Sequence, residues 1–426
     1  MSRRILIITV GGSDEPVVSA IKGYNPDFIY FICSGGKPEV ASSITIDGKD
    51  KNGRVINEKP CLRKKEIKCK KCGEIIEKGE KYPPIIEQAE YSESYEKVVL
   101  NDPDDFNEVY EKTKQTIEKA LKEGDEIICD FTGGTKTMSS VLAILTAFEF
   151  KTKPSIVKGK REDIIKIKEL SFPVLENVNS ARVDFLLQIV NEFISRYLYY
   201  PAKVILENIL TYSTFDRETQ KKIIEKCELC TCFYYWDIFE YDKSLSILKN
   251  YGGRFKDHLN YLLKICEKIT GYESVFDLVA NAERQAHNSF YDNATARLYR
   301  ALELFAQKRL KNKYGIETSS VDIEKVKNKE KWEIKKDKEG KIKIGLVDSY
   351  ELLDELGDEI GKIYREKEKK FKNILNIRNT SKLAHGDRPV NKDDWKKILK
   401  FIKDFINDCC NQIKIKIEYF QLPNNF

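Results

Sequence analysis

The chain has three histidines, His258, His287 and His385, and only His385 stands in a segment that offers it chemical partners. In "ILNIRNTSKLAHGDRPV", Arg378 is followed at once by Asn379 and then, seven positions after Arg378, by His385. Arg378 supplies a planar, permanently charged fork for a phosphate, Asn379 a second donor beside it, and His385 an acid–base group that titrates near neutrality. On a continuous helix, seven residues make two turns less about 20°, so Arg378 and His385 would share one face about 10 Å apart, with Gly386 as the helix stop. A histidine near a helix C-terminus has its protonated form favoured, which suits a proton donor to a leaving alkoxide. An arginine and a histidine without paired carboxylates match metal-free RNA cleavage, in which the 2′-hydroxyl attacks its own phosphodiester. DNA lacks that nucleophile. In a chain this rich in Lys and Arg, spacing alone favours a surface histidine beside a solvated arginine.

A second group lies far upstream. "DFTGGTKTM" (Asp130 to Met138) joins an apolar run to a helical pattern, and "VGGS" (Val10 to Ser13) closes the first apolar run in the same way. Neither loop has the spacing of a nucleotide P-loop, because Thr135 separates Gly134 from Lys136, nor that of a dinucleotide fingerprint. Each alone reads as a tight turn with a hydroxyl cap on the next helix. Together, with Lys136 in a first helical turn where the dipole disfavours it, they favour an anionic ligand with several phosphates and hydroxyls. The candidate ligand-binding set is Gly11, Gly12, Ser13, Ser34, Thr132, Gly133, Gly134, Thr135 and Lys136.

The elements that must position these residues differ along the chain. "RILIITV", "DFIYFICS" and "DEIICDF" read as strands, alternating with helical patterns at "EPVVSAIKGY", "DFNEVYEKTKQTIEKALKEG" and Thr137 to Phe150. Such alternation predicts a mainly parallel, Rossmann-like α/β sheet covered on both faces, with ligand loops at the carboxyl ends of the strands. An irregular Lys- and Gly-rich insertion occupies 47–82. From Val183 onward helical periodicity dominates, and "YDNATARLYRALELFAQKRLKN" is a strong amphipathic helix with Ala294, Leu298, Leu302, Phe305 and Arg309 at helical spacing. The expected organisation is an α/β domain at 1–175, an all-α linker region at 176–270, softly bounded near Gly271, and an all-α C-terminal domain at 271–426. "KWEIKKDKEGKIKIG" (Lys331 to Gly345) reads as a charged hairpin between helices.

Composition limits the partners. The chain carries 74 basic and 68 acidic residues, a net +6, so any nucleic-acid contact must be local rather than driven by a global field. Its 11 cysteines do not form the dense framework of a small secreted domain and fit a reducing cytoplasm. No apolar stretch is long enough to cross a bilayer, so no membrane partner is expected. Cys61, Cys69 and Cys72 include a C-x2-C knuckle that could join a zinc site, but with no fourth ligand evident a reduced, metal-free loop is the favoured reading. "CELCTC" (Cys227 to Cys232) reads as buried, small apolar cysteines.

The segments "VGGSDEPVVSAI", "DFTGGTKTM", "YDNATARLYRALELFAQ" and "RNTSKLAHG" together resemble the type III CRISPR-associated ribonucleases that join a CARF sensor domain to a HEPN effector domain, and "YYWDIFEYDKSLSIL" resembles their helical middle region. The resemblance spans nearly the whole chain in the right order. It implies a homodimer whose CARF domains share a pocket for a cyclic oligoadenylate, an allosteric activator of a composite HEPN site that cleaves single-stranded RNA without a catalytic cofactor. Arg378, Asn379 and His385 match the HEPN R-x4-6-H pattern, and Gly11 to Ser13 and Thr132 to Lys136 match the two CARF ligand loops. Some relatives also degrade their activator in the CARF pocket, where Ser13, Thr132 and Thr135 would be placed for it. That activity, or a sensor that does not cut, is the alternative.

Overall fold

The computed structural model describes all residues except 1–2, 38–40, 65–66, 69–74, 78, 150, 159–172, 177–178, 213–214 and 383–385. Backbone contacts divide the chain into two compact units, Met1–Leu186 with Ile209–Asp216, and Leu187–Asn208 with Arg217–Phe426.

The first unit is built on strands β1 (Arg4–Val10), β2 (Phe28–Ser34), β3 (Ser94–Leu100), β4 (Glu126–Asp130), β5 (Thr152–Val157) and β6 (Pro173–Leu175). They lie in the order β6-β5-β4-β1-β2-β3, parallel throughout except for β6 against β5. Helices α1 (Glu15–Tyr24), α2 (Phe106–Glu123) and α3 (Lys136–Phe148) follow β1, β3 and β4. The near-continuous apolar run of β1 is explained by burial on both faces. Leu6, Ile8 and Val10 pack with Val17 and Ile21 of α1 on one face, while Ile5 and Ile7 pack with Val109 and Ile117 of α2 and Val141 and Leu142 of α3 on the other. Each such side chain stabilises the sheet by about 2 kcal/mol. The parallel register of β1 with β4, Ile8 beside Asp130, brings the two glycine loops to the same end of the sheet.

Two strands, β3 and β5, go beyond the sequence expectations. β3 is an edge strand whose residues are mostly exposed or half-buried, so "SYEKVVL" lacks an apolar run; β5 carries Pro154, which argues against a strand when read alone. In the insertion, Cys61–Lys64 pairs antiparallel with Glu80–Tyr82, and short helices Ser42–Asp47 and Ile85–Gln88 flank it.

The rest of the chain is helical: α4 (Asn179–Ser195), α5 (Tyr199–Tyr212), α6 (Arg217–Asp237), α7 (Tyr241–Leu248), α8 (Lys256–Glu267), α9 (Glu273–His287), α10 (Tyr291–Tyr314), α11 (Leu346–Glu355), α12 (Glu359–Asn379) and α13 (Lys392–Gln412). One core joins α9 through α13. Ala294, Leu298, Leu302 and Phe305 of α10 are buried as their spacing predicts, and Phe371 of α12 packs edge-on to Tyr350 of α11 at 5.1 Å between ring centroids. Arg309, on the same stripe, reaches Asp358, the N-cap of α12, at 2.9 Å.

Two expectations are corrected. The segment 331–345 is not a regular hairpin: Lys329–Glu333 is a short helix, and only Lys336 and Ile342 pair across the turn closed by Gly340. Nor does one helix carry both Arg378 and His385. Helix α12 ends at Asn379, where the amides of Thr380 and Ser381 fold back onto Asn376 and Arg378 carbonyls at 2.9 Å each. Gly386 is therefore not the helix stop. Its amide donates to the Ser381 carbonyl at 3.1 Å, and a Cβ there would sit 2.1 Å from the Thr380 carbonyl oxygen, so only glycine allows the loop to return this closely.

Candidate functional site

The loop at the end of β4 is built largely from its own hydrogen bonds. Thr135 is the N-cap of α3: its hydroxyl accepts from the Met138 amide at 3.3 Å and donates to the Pro103 carbonyl at 2.8 Å. The Thr132 hydroxyl accepts from the Val157 amide at 2.6 Å. The Gly133 carbonyl accepts from the hydroxyls of Thr9 and Ser139, each at 2.6 Å. Gly134 has φ +85°, open to glycine at little cost. The loop presses directly on its counterpart after β1, since a Cβ on Gly11 would lie 2.7 Å from the Gly134 nitrogen and one on Gly133 would lie 2.4 Å from the Thr9 carbonyl oxygen. The two loops therefore form one surface, with Gly12, Ser13 and Lys136 on its exposed side.

What this surface offers is backbone. Among the described residues, the amides of Gly133, Gly134 and Lys136 have no hydrogen-bond partner, and they stand at the N-terminus of α3 with a lysine beside them, an arrangement that takes an anion. The hydroxyls of Thr132 and Thr135 hold the loop in shape. Ser34 is likewise engaged, accepting from the Ser42 amide at 3.0 Å. Beneath the loop, Asp130 is buried and accepts from the Thr132 amide at 3.0 Å and the Ser155 hydroxyl at 2.6 Å. Burial pushes its carboxyl above the ordinary range, with these hydrogen bonds partly offsetting it.

In the second unit, Arg378 and Asn379 are the last two residues of α12. The half-buried Arg378 guanidinium lies over the ring of Tyr299 of α10, 4.6 Å from its centroid, and donates from Nη1 to Asn379 Oδ1 at 3.2 Å. No carboxylate among the described residues pairs with it, which leaves its charge for a ligand. Tyr299 was not visible as a site residue in the sequence; nothing in the spacing links it to a position on another helix. Burial raises its phenol pKa, the neighbouring Arg378 charge opposing that shift. His385 lies outside the described residues. The loop beyond it is fixed to the start of α10, where the Val390 amide donates to Asp292 Oδ2 at 3.1 Å. The other two histidines sit in aromatic surroundings. His258 packs against Phe233, Phe255 and Phe420, and burial lowers its pKa; His287 packs edge-on to Tyr197 at 5.6 Å.

Of the cysteines considered for zinc, Cys69 and Cys72 lie outside the described residues. Cys61 is buried, and its thiol donates to the Thr45 carbonyl at 3.6 Å. Among the described residues no group of three or more His, Cys, Asp or Glu is placed to hold a metal. Cys230 and Cys232 are buried, as expected, and Cys227 partly so. No helix among the described residues is long and apolar enough to cross a membrane.

The family model of the Csm6 HEPN domain matches residues 264–408, the stretch from the end of α8 through most of α13 that holds Arg378, Asn379 and His385. This region is thus similar to the HEPN domain of Csm6. Across almost the whole chain the fold is similar to that of Enterococcus italicus Csm6 bound to cyclic hexa-2′-fluoro-hexa-dAMP, with a TM-score of 0.54, 12% identity, and coverage of 96% of this chain and 94% of that one. At that identity the likeness establishes the fold. An α/β unit followed by a Csm6-type HEPN match has the same fold as that Csm6 structure. Two further solved structures align over part of the chain. A type III CRISPR defence DNA nuclease activated by cyclic oligoadenylate aligns at 12% identity and TM-score 0.23, over 54% of this chain and 34% of its own. Can2 from Sulfobacillus thermosulfidooxidans in complex with cyclic tetra-adenylate aligns at 10% identity and TM-score 0.24, over 60% of this chain and 69% of its own. Both superpositions are too loose to carry an argument. No curated protein matches the chain in sequence.

Proposed function

We propose that the protein is a cyclic oligoadenylate-activated endoribonuclease of type III CRISPR defence, acting on single-stranded RNA as a homodimer and needing no metal for the chemical step. The observation that carries this reading is the Arg378 guanidinium beside Asn379, without an ion-pair partner among the described residues, at the end of a helix within the Csm6-type HEPN match. Arg378 takes the scissile phosphate through two parallel donors, and Asn379 adds a third. The 2′-hydroxyl gives its proton to solvent water and attacks the adjacent phosphorus, the bond from phosphorus to the 5′-oxygen breaks, and His385 gives that oxygen a proton, which it regains from solvent. The products are a 2′,3′-cyclic phosphate and a free 5′-hydroxyl. The arginine charge meets the charge that builds on the phosphate oxygens, which is the role a metal would otherwise fill.

The joined glycine loops are the activator site. Phosphates of the cyclic ligand rest on the amides of Gly133, Gly134 and Lys136, and the Lys136 ammonium adds a charge-assisted contact. The ligand switches the enzyme by binding its active state more tightly than its resting state.

The test is a fluorescent single-stranded RNA incubated with cyclic tetra- or hexa-adenylate, with and without EDTA. Cleavage that depends on one of these ligands, survives EDTA and leaves cyclic phosphate ends is the expected result. Full activity in His385→Ala would refute the catalytic assignment. Activator loss that persists in His385→Ala without RNA cutting would replace it with a ring-cleaving enzyme.

A further inference from the structure

Asp14 occupies the N-cap position of α1, directly after the loop Gly11 to Ser13, yet its side chain makes no cap hydrogen bond. Aspartate is among the best capping residues, so its absence from the cap needs a cause. The Asp14 backbone is helical here (φ −81°, ψ −36°) rather than extended as in a capping residue, and its carboxylate is turned to other partners. Asp14, with its side chain 4% exposed, accepts on Oδ2 from Arg63 Nη2 at 3.2 Å and from Gln88 Nε2 at 2.8 Å. Arg63 also donates to Gln88 Oε1 at 2.6 Å, reaches Glu15 at 3.2 Å and stacks over Tyr82, 3.9 Å from the ring centroid. Gln88 is held in turn by the Pro83 carbonyl at 2.6 Å. Arg63 and Tyr82 belong to the paired strands of the insertion, and Gln88 ends the short helix that follows it.

The start of α1 is correspondingly bare. Pro16 has no amide proton, and the Val17 amide, the donor an N-cap aspartate would take, has no partner among the described residues. Released from Arg63 and with its backbone rotated into a capping conformation, the Asp14 carboxylate has the Val17 amide waiting three residues away, at the end of the helix that faces the ligand loops. There it would cap α1 and place a negative charge where the ligand's phosphates belong.

We propose that Arg63 and Gln88 are positioning residues for activator binding: the insertion holds Asp14 away from the N-terminus of α1, keeping a tethered competing anion out of the ligand loops. The inference rests on the activator-site reading above and gives the insertion a role independent of any metal. It also explains why an acidic residue is tolerated beside an anion site, since a guanidinium neutralises it at contact distance.

The experiment has a ligand arm and a ligand-free arm, on the full chain. In calorimetric titrations with cyclic tetra- and hexa-adenylate, Arg63→Ala is expected to weaken binding about tenfold, the scale of one cap hydrogen bond with one charge at a helix start. Gln88→Ala, remote from the strand pairing, weakens it less. Adding Asp14→Asn to Arg63→Ala restores affinity to within about twofold of the wild type, because an amide caps without charge. An Arg63→Ala protein with unchanged affinity, or a double variant as weak as the single one, would overturn the proposal. In hydrogen exchange without ligand, the Val17 amide slows in Arg63→Ala, as Asp14 moves into the cap; unchanged exchange overturns the proposal. Were the wild type to bind neither cyclic ligand, the activator reading would fail, and the exchange arm would still decide where Asp14 goes.

Discussion

At the scale of single residues, the proposed catalytic site was legible only in part. Arg378 and Asn379 stand out because unlike functional groups are adjacent, whereas Tyr299 could not be found, because an aromatic residue on an amphipathic helix looks the same whether it fills a core or supports a cation. The structure separates the two. Tyr299 lies under the guanidinium, and a cation over an aromatic face is worth about 1 to 2 kcal/mol when partly desolvated. Tyr299→Ala is therefore expected to lower kcat for RNA cleavage about tenfold with little change in activator affinity, while Tyr299→Phe, which keeps the ring, retains most activity. Equal losses in both variants would mean that the hydroxyl, not the ring, matters. The loops proposed to hold the activator are easier to single out, since two glycine-hydroxyl turns ending strands have few uses. The structure shifts the emphasis within them: the threonine hydroxyls build the loop, and the Lys136 side chain is exposed beside it. Lys136→Ala should raise the activator concentration for half-maximal cleavage about tenfold, an effect that shrinks with added salt because the lysine is exposed. A salt-independent loss would point to a folding defect instead.

At the scale of elements, the α/β alternation and the α10 stripe were readable because burial writes a period into the sequence. β3 and β5 were not, because an edge strand with one wet face and a strand containing Pro154 lack that period. The end of α12 was misread for a related reason: Gly386 resembles a helix stop, but the glycine is needed for a close backbone return seven residues beyond Asn379. The start of α12 is firmly fixed. Asp358, fully buried, accepts from the Ile360 amide at 3.0 Å, from Lys313 and Tyr314 at 2.9 Å each, and from Arg309 Nε at 3.0 Å. Burial pushes its carboxyl up, but the hydrogen bonds from Arg309, Lys313, Ile360 and Tyr314 outweigh burial and hold it below the ordinary value. A depressed folded pKa stabilises the fold above the unfolded value of about 3.9, and that contribution is lost as pH falls through the folded value. In thermal melts, the wild-type protein should therefore lose stability below about pH 4 more steeply than Asp358→Asn, which is already less stable at neutral pH by about 3 kcal/mol. Parallel pH profiles for the two proteins would remove Asp358 from the account.

At the scale of the whole molecule, the question is how many copies make one active site. Each chain carries a single Arg378–Asn379 pair, one of its guanidinium faces covered by Tyr299 and no second cation placed on it among the described residues. A phosphodiester whose non-bridging oxygens gain charge during the reaction is better served by two arginines than by one. The resemblance to CARF–HEPN ribonucleases supplies the means, since a two-fold axis presents the same patch from both protomers and doubles the set without any new residue. Composite and self-contained sites differ in arithmetic. When wild type and Arg378→Ala are mixed in equal amounts and allowed to exchange, about a quarter of randomly paired dimers contain two intact sets and about half contain one. If both sets are required, cleavage at saturating cyclic oligoadenylate falls to about a quarter of that of the same total amount of wild type; if each protomer works alone, it falls only to about a half. The same logic predicts that specific activity declines on dilution below the dimer dissociation constant, and that added activator opposes the decline if it binds the dimer more tightly than the single chain. A mixture that retains half its activity, with no dependence on dilution, would place a complete catalytic site on each chain.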